Sequence, residues 1–200
     1  REGRQNYAFE INGAGTGRQA SIPEALGEMG RFDFITLQQA SHFSGMKETY
    51  FPFIRELYDA CRAAQPDAEI VIHETWAYET DSTHGAFPNY GSDQRRMYAC
   101  LRDAYREAAE ALGVRLIPVG DAVQYLRENV PAFDYPHGGV PLTRDGFHLA
   151  IPDGRYLAAL VWIETLAGTD ARDARYLPEG MTEERRALLA EEIHGFLHRA

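Results

Sequence analysis

Three short apolar runs, each separated from the next by a long helical pattern, constrain this chain more than any other feature. Residues 32–37, 69–75 and 114–119 are compact and β-prone, and Ile70, Val71 and Ile72 give the middle one the look of a strand buried on both faces. Between the first two, Tyr50, Phe53, Ile54, Leu57, Tyr58, Cys61 and Ala64 recur at helical spacing, which predicts a helix that Pro66 ends. Between the second and third, Met97, Leu101, Ala104, Tyr105, Ala108, Ala111 and Leu112 predict another, closed by Gly113. Strands that alternate with helices in this way fold as a parallel sheet with right-handed crossovers.

The flanks fill in around that frame. Residues 7–11 alternate apolar and polar side chains, as a short strand or hairpin arm does. The Gly-rich residues 12–17 fail the dinucleotide-binding pattern because its third glycine falls on Arg18, so they are expected to form a flexible turn. Ser21 and Glu24 make a capping box for a helix from 22 to about 29, and Asp121 is placed to cap a helix to about 129. Residues 152–166 predict an almost wholly apolar helix stopped by Gly168. Residues 169–181 read as a linker, and Thr182 as the cap of a last helix whose Leu189, Ile193, Phe196 and Leu197 pack on the same body.

Parallel sheets bind ligands outside the carboxyl ends of their strands. That rule gathers Gln38 and Gln39 after one strand, Trp76 to Tyr78 after another, and Asp145 with His148 after the last loop. The irregular stretch 76–93 is far longer than the usual connection of about 4 to 6 residues, which marks it as functional. Asp145 and His148 stand three apart, the spacing that brings side chains together on a helical turn. An Asp that accepts from one imidazole nitrogen leaves the other free to act as a base. On those two residues alone, a turn aspartate beside a surface histidine is the stronger reading.

Other candidates are weighed the same way. Ser41 follows a strand at the rim, within reach of His148, although a loop serine bonded to its own backbone is favoured. Ser82 is a turn residue or a substrate contact. Trp76, Tyr78 and Tyr90 could form a wall for a sugar ring, with space-filling ranked slightly ahead. His42, His84 and His137 lie on loops near the rim, where a solvated histidine ranks ahead of a metal ligand. His73-Glu74 opens like a zinc-protease motif, but position 77 is Ala and the segment reads as strand.

A formal charge of −10 repels phosphate backbones and anionic lipid, so neither nucleic acid nor membrane is expected as a partner. No run approaches the roughly 18 apolar residues of a membrane span. Cys61 and Cys100 fall on inner helix stripes and are expected as unpaired thiols, which tilts the expected location of a soluble protein toward the cytoplasm. No secretory leader is visible, but the chain starts at Arg1 and its true start is expected upstream.

The order Gln38-Gln39-x-Ser41-His42, then His73-Glu74-Thr75-Trp76-Ala77-Tyr78-x-Thr80-Asp81-Ser82, then Asp145-Gly146-Phe147-His148 before Gly154-Arg155-Tyr156-Leu157 resembles the SGNH (GDSL-like) hydrolase superfamily. Within it, the likeness is to a branch long catalogued as a domain of unknown function. It covers residues 1–168, with 169–200 as the linker and C-terminal helix packed on the same domain. The resemblance implies a flavodoxin-like three-layer α/β/α sandwich with a mainly parallel sheet. It implies hydrolysis of a small acyl ester, for instance on an acetylated carbohydrate, by a serine nucleophile without cofactor or metal. His148 matches the general base and Asp145 its orienting acid. Gln38 or Gln39 stands where the superfamily places an oxyanion-hole Asn, and Ser41, Trp76 and Tyr78 would line the substrate side.

The superfamily's first blocks, a strand ending in Gly-Asp-Ser or Gly-Asn-Ser and an oxyanion-hole glycine, are absent from these residues. They are expected before Arg1, on an N-terminal segment whose strand is central and lies between the first and second strands seen here. Two alternatives stay open: a non-catalytic carbohydrate-binding module on the same fold, and a metal-dependent hydrolase using the loop histidines.

Overall fold

β4 (Glu69–His73) is the centre of the molecule, and its alternating side chains divide the core in two. Ile70 and Ile72 pack on one side with Met97, Leu101, Tyr105 and Leu112, while Val71 faces Leu126, Phe133, Leu157 and Val161 on the other. The structure, a computed structural model, describes residues 7–199. Its parallel sheet has the order β3 (Phe34–Leu37), β4, β5 (Leu116–Ile117), with Leu37 beside Ile72 and His73 beside Ile117. Helices α2 (Phe53–Ala64) and α3 (Gln94–Leu112) cover the first face. Helices α4 (Val119–Asn129), α5 (Asp153–Ala167) and α6 (Glu183–Leu197) cover the second. This is the expected three-layer α/β/α arrangement. No helix among the described residues is long and apolar enough to cross a membrane.

Helix ends follow local chemistry where the sequence carries it. Ser21 and Glu24 form the reciprocal capping box of α1 (Ile22–Glu28), and Thr182 Oγ1 accepts from the Arg185 N–H at 3.2 Å to open α6. Gly113 and Gly168 end α3 and α5 in the left-handed conformation. Asp121 does not cap α4, which begins two residues earlier. The carboxyl group that meets this helix start comes from the residue after β4: Glu74 Oε2 accepts from the Asp121 N–H at 2.8 Å, and burial pushes the Glu74 pKa up to about 8. Asp121 instead accepts from the Tyr98 hydroxyl at 2.7 Å and from Arg106 at 2.8 Å. β5 is shorter than the apolar run 114–119, because Pro118 has no N–H for the ladder and α4 starts immediately after it.

Residues 12–17 are mostly strand rather than a flexible turn. Only Asn12 and Gly13, at φ 52° and 75°, make the reversal, and β1 (Tyr7–Ile11) pairs antiparallel with β2 (Ala14–Ala20). The hairpin forms a sheet of its own. Among the described residues, no strand pairs with the outer edge of β3. Cys61 is buried and Cys100 partly so, and both are free thiols.

Candidate active site

Asp145 and His148 meet on a tight loop, not on a helical turn. Thr143 and Leu149 bridge its two ends, and the Arg144 N–H donates to His148 O at 2.9 Å. Gly146 sits at φ 85°, which explains the glycine between Asp145 and His148. Asp145 Oδ1 accepts from the N–H groups of Phe147 (3.2 Å) and His148 (2.7 Å), the self-bonding habit of aspartate in turns. Its Oδ2 accepts from His148 Nδ1 at 2.7 Å. Desolvation works against the charged carboxyl, but the bonds from the His148 ring and the two backbone N–H groups outweigh it and bring its pKa to about 2. The imidazole is therefore held by an ionised acid. Its side chain is 56% exposed, and Nε2 has no partner among the described residues.

The two glutamines part company. Gln39 turns into its own loop, where Nε2 donates to Thr49 O (3.2 Å) and Oγ1 (3.0 Å) and Oε1 accepts from the Ala40 N–H (2.8 Å). Gln38 Oε1 accepts from His73 Nδ1 at 2.9 Å, which leaves its own NH₂ without a partner among the described residues. Burial pushes the His73 pKa down to about 4, so the ring is neutral and Nδ1 carries its one proton. The sequence showed His73 as the opening of a failed zinc motif and as part of the order that carries the family resemblance, without a role of its own. Its position at the carboxyl end of β4 was the signal that it belongs to the rim.

The long loop after β4 joins these groups. Trp76 Nε1 donates to Phe147 O at 2.7 Å, its ring centroid lies 6.4 Å from that of His73, and the Glu79 N–H donates to Gly146 O at 2.7 Å. Gln38 and His148 are thus linked through His73, Trp76 and Phe147 along one rim. Tyr78 and Tyr90 are buried and offer no face to a sugar. The Tyr78 ring packs against His84, Phe87 and Phe147, and the Tyr90 hydroxyl donates to His42 O at 3.1 Å.

The Ser41 hydroxyl lies 3.0 Å from the Tyr78 hydroxyl, and Ser82 Oγ accepts from the His84 N–H at 3.3 Å. Neither bonds to His148, nor does any other serine among the described residues. Ser82 also backs the Asp145–His148 loop, since a Cβ at Gly146 would meet its side chain at 3.1 Å. His84 Nδ1 accepts from the Ala86 N–H, His137 pairs with Asp134 at 2.8 Å, and His42 lies against Phe43. Among the described residues, these three loop histidines do not converge on a shared metal-binding group. A polar cavity of 230 Å³ adjoins Asp145 and is lined by Glu79, Asp81, Thr83, Tyr135, Thr143 and Arg144.

A parallel sheet between two helical layers, with an Asp-x-x-His loop at its carboxyl rim leading into an apolar helix, fits the SGNH-like superfamily, and the similar structures support that placement. Within it, residues 7–194 match the family model described as "Domain of unknown function (DUF4886)", and the chain belongs to that family. A crystal structure of a DUF4886 family protein from Bacteroides uniformis is similar at 32% identity and TM-score 0.79, over 90% of this chain and 68% of that one. A "putative SGNH hydrolase" from Slackia heliotrinireducens is similar at 27% identity and TM-score 0.51, over 71% of this chain and 69% of its own. A "putative GDSL-like lipase" from Parabacteroides merdae shares the fold at 18% identity and TM-score 0.51, over 74% of this chain and 64% of its own. No curated protein matches the chain.

Proposed function

We propose that this protein is a serine-type ester hydrolase acting on a small acyl ester. The observation that carries the reading is the 2.7 Å Asp145–His148 pair, whose free Nε2 shares a rim with the unengaged Gln38 amide. In this reading His148 Nε2 takes the proton of a serine as it attacks the ester carbonyl, and Asp145 fixes the tautomer and stabilises the imidazolium. The Gln38 NH₂ donates to the oxyanion that develops. The alcohol leaves with the proton from His148, and the same nitrogen then activates the water that releases the acid. No serine among the described residues bonds to His148, so the nucleophile is assigned to polypeptide beyond these 200 residues, seated along the open edge of β3. The small polar cavity beside Asp145 supports a hydroxyl-rich alcohol such as an acetylated sugar.

Turnover of p-nitrophenyl acetate by the full-length protein tests this. His148→Ala should lower kcat by about three orders of magnitude or more, and a fluorophosphonate should label a single serine. Unchanged turnover would remove His148 from the chemistry.

A further inference from the structure

The far end of α5 carries a second cluster that the ester chemistry does not use. Glu164 lies eleven residues beyond Asp153, roughly 16 Å down the helix from its start. At this end Arg115, which precedes β5, donates to Thr165 O at 2.6 Å, so the cluster sits toward the amino edge of the sheet, opposite the rim. His194 and His198, one turn apart at the end of α6, lean over Glu164.

We propose that Glu164, His194 and His198 form a site for a divalent transition-metal ion of the zinc class, which clips the end of α6 to α5. The Glu164 side chain is only 6% exposed and is fixed from beneath, where Oε2 accepts from the Ala171 N–H at 2.9 Å. Its other oxygen, Oε1, lies 2.7 Å from His194 Nδ1 and 3.4 Å from His198 Nδ1. All three donor atoms fall within 4.8 Å of one another. Around a tetrahedral zinc with bonds of about 2.0 to 2.2 Å, neighbouring donors stand roughly 3.3 Å apart. The Glu164–His198 distance already matches, and the Glu164–His194 pair opens by a few tenths of an ångström when the metal replaces the proton they share.

Glu164 Oε1 is shared by two imidazoles rather than one. The rings stack with centroids 4.3 Å apart, so both imidazoles turn a nitrogen toward the same Glu164 oxygen. His198 Nδ1 also lies 3.0 Å from His194 O, a bond that the metal displaces. Two features favour the cation. The closing carbonyls of α6 present the negative end of the helix dipole, and Asp170 Oδ1 stands 3.3 Å from His194 Nδ1, close enough to join the site or hold its water. The opposing charge, Arg172, is engaged by Asp170 at 2.6 Å and reaches Glu191 at 3.9 Å. Two imidazoles and one carboxylate suit zinc, cobalt or nickel rather than magnesium.

Calorimetric titration of zinc chloride into metal-stripped, tag-free, full-length protein tests the site. One equivalent should bind, and zinc at a hundredfold over Kd should raise Tm by about 5 to 10 °C. His198→Ala removes a ring that is 59% exposed, so the fold stands, and it should weaken zinc binding at least tenfold while His42→Ala leaves it unchanged. Glu164→Gln should weaken it similarly, with circular dichroism verifying the fold. Absence of saturable zinc binding in the wild type, equal affinity in His198→Ala, or magnesium bound as tightly as zinc would each overturn the proposal.

Discussion

Glu79→Gln should destabilise this protein more than any substitution on the exposed face of the rim. Arg127 reaches from α4 under the long loop after β4, where Nη2 donates to Glu79 Oε2 at 2.9 Å and Nη1 to Ala77 O at 2.9 Å. The two side chains are 3% and 6% exposed, and desolvation pulls the Arg127 pKa down against the opposing pull of Glu79. Removing one partner of such a pair leaves a charge buried without compensation, at a cost of about 3 to 5 kcal/mol. In a chain of this size each kcal/mol moves Tm by about 2 to 4 °C. The expected drop is therefore about 6 to 20 °C, read by thermal melts at pH 7. Glu79→Met combined with Arg127→Met should recover more than half of it, because no unpaired charge remains. A Glu79→Gln melt within about 2 °C of wild type, or a double variant whose losses simply add, would refute the reasoning. The effect should also reach the active site, since this loop carries Trp76 and its bond to Phe147.

The two glutamines should separate by assay. Gln38→Ala is expected to lower kcat by about a hundredfold to a thousandfold, and to lower Tm as well because the buried His73 Nδ1 loses its acceptor. Gln39→Ala should lower Tm, because Thr49 and the Ala40 N–H lose their partner, while leaving kcat nearly unchanged; a kcat loss confined to Gln39→Ala would reverse the assignment. His73 should titrate by NMR near pH 4. Its folded pKa lies below the usual 6.5, so its stabilisation is complete above about pH 6.5 and fades, by about 3 kcal/mol, as pH falls toward 4. A midpoint near 6.5 would contradict its burial. Gly154→Ala would place a Cβ 2.3 Å from Leu142 O, and the forced shift should cost about 1 to 3 kcal/mol, visible as a lower Tm.

What could be read from the sequence was what repeats along it. β4 and the two long helices beside it announce themselves by periodicity, and Gly113 and Gly168 mark helix ends because only a left-handed residue closes them cheaply. Local chemistry was legible too, as with Ser21 and Glu24. Contacts made across the fold were not. Choosing between Gln38 and Gln39 requires His73, 35 residues away, and the Glu79–Arg127 pair spans 48. Asp121 carries the residue type of a cap, but Glu74 reaches it from just after β4. The Asp145–His148 spacing was informative for the wrong reason: a glycine-hinged loop, rather than a helical turn, brings the two side chains together.

The open flank of β3 has a practical side as well. Among the described residues its peptide groups have no ladder neighbour, and such a row is a template on which any extended segment can zip up, including the same flank of a second molecule. Handled by themselves, these 200 residues would be sticky along that one line, and a short peptide matched to it should keep them apart in solution.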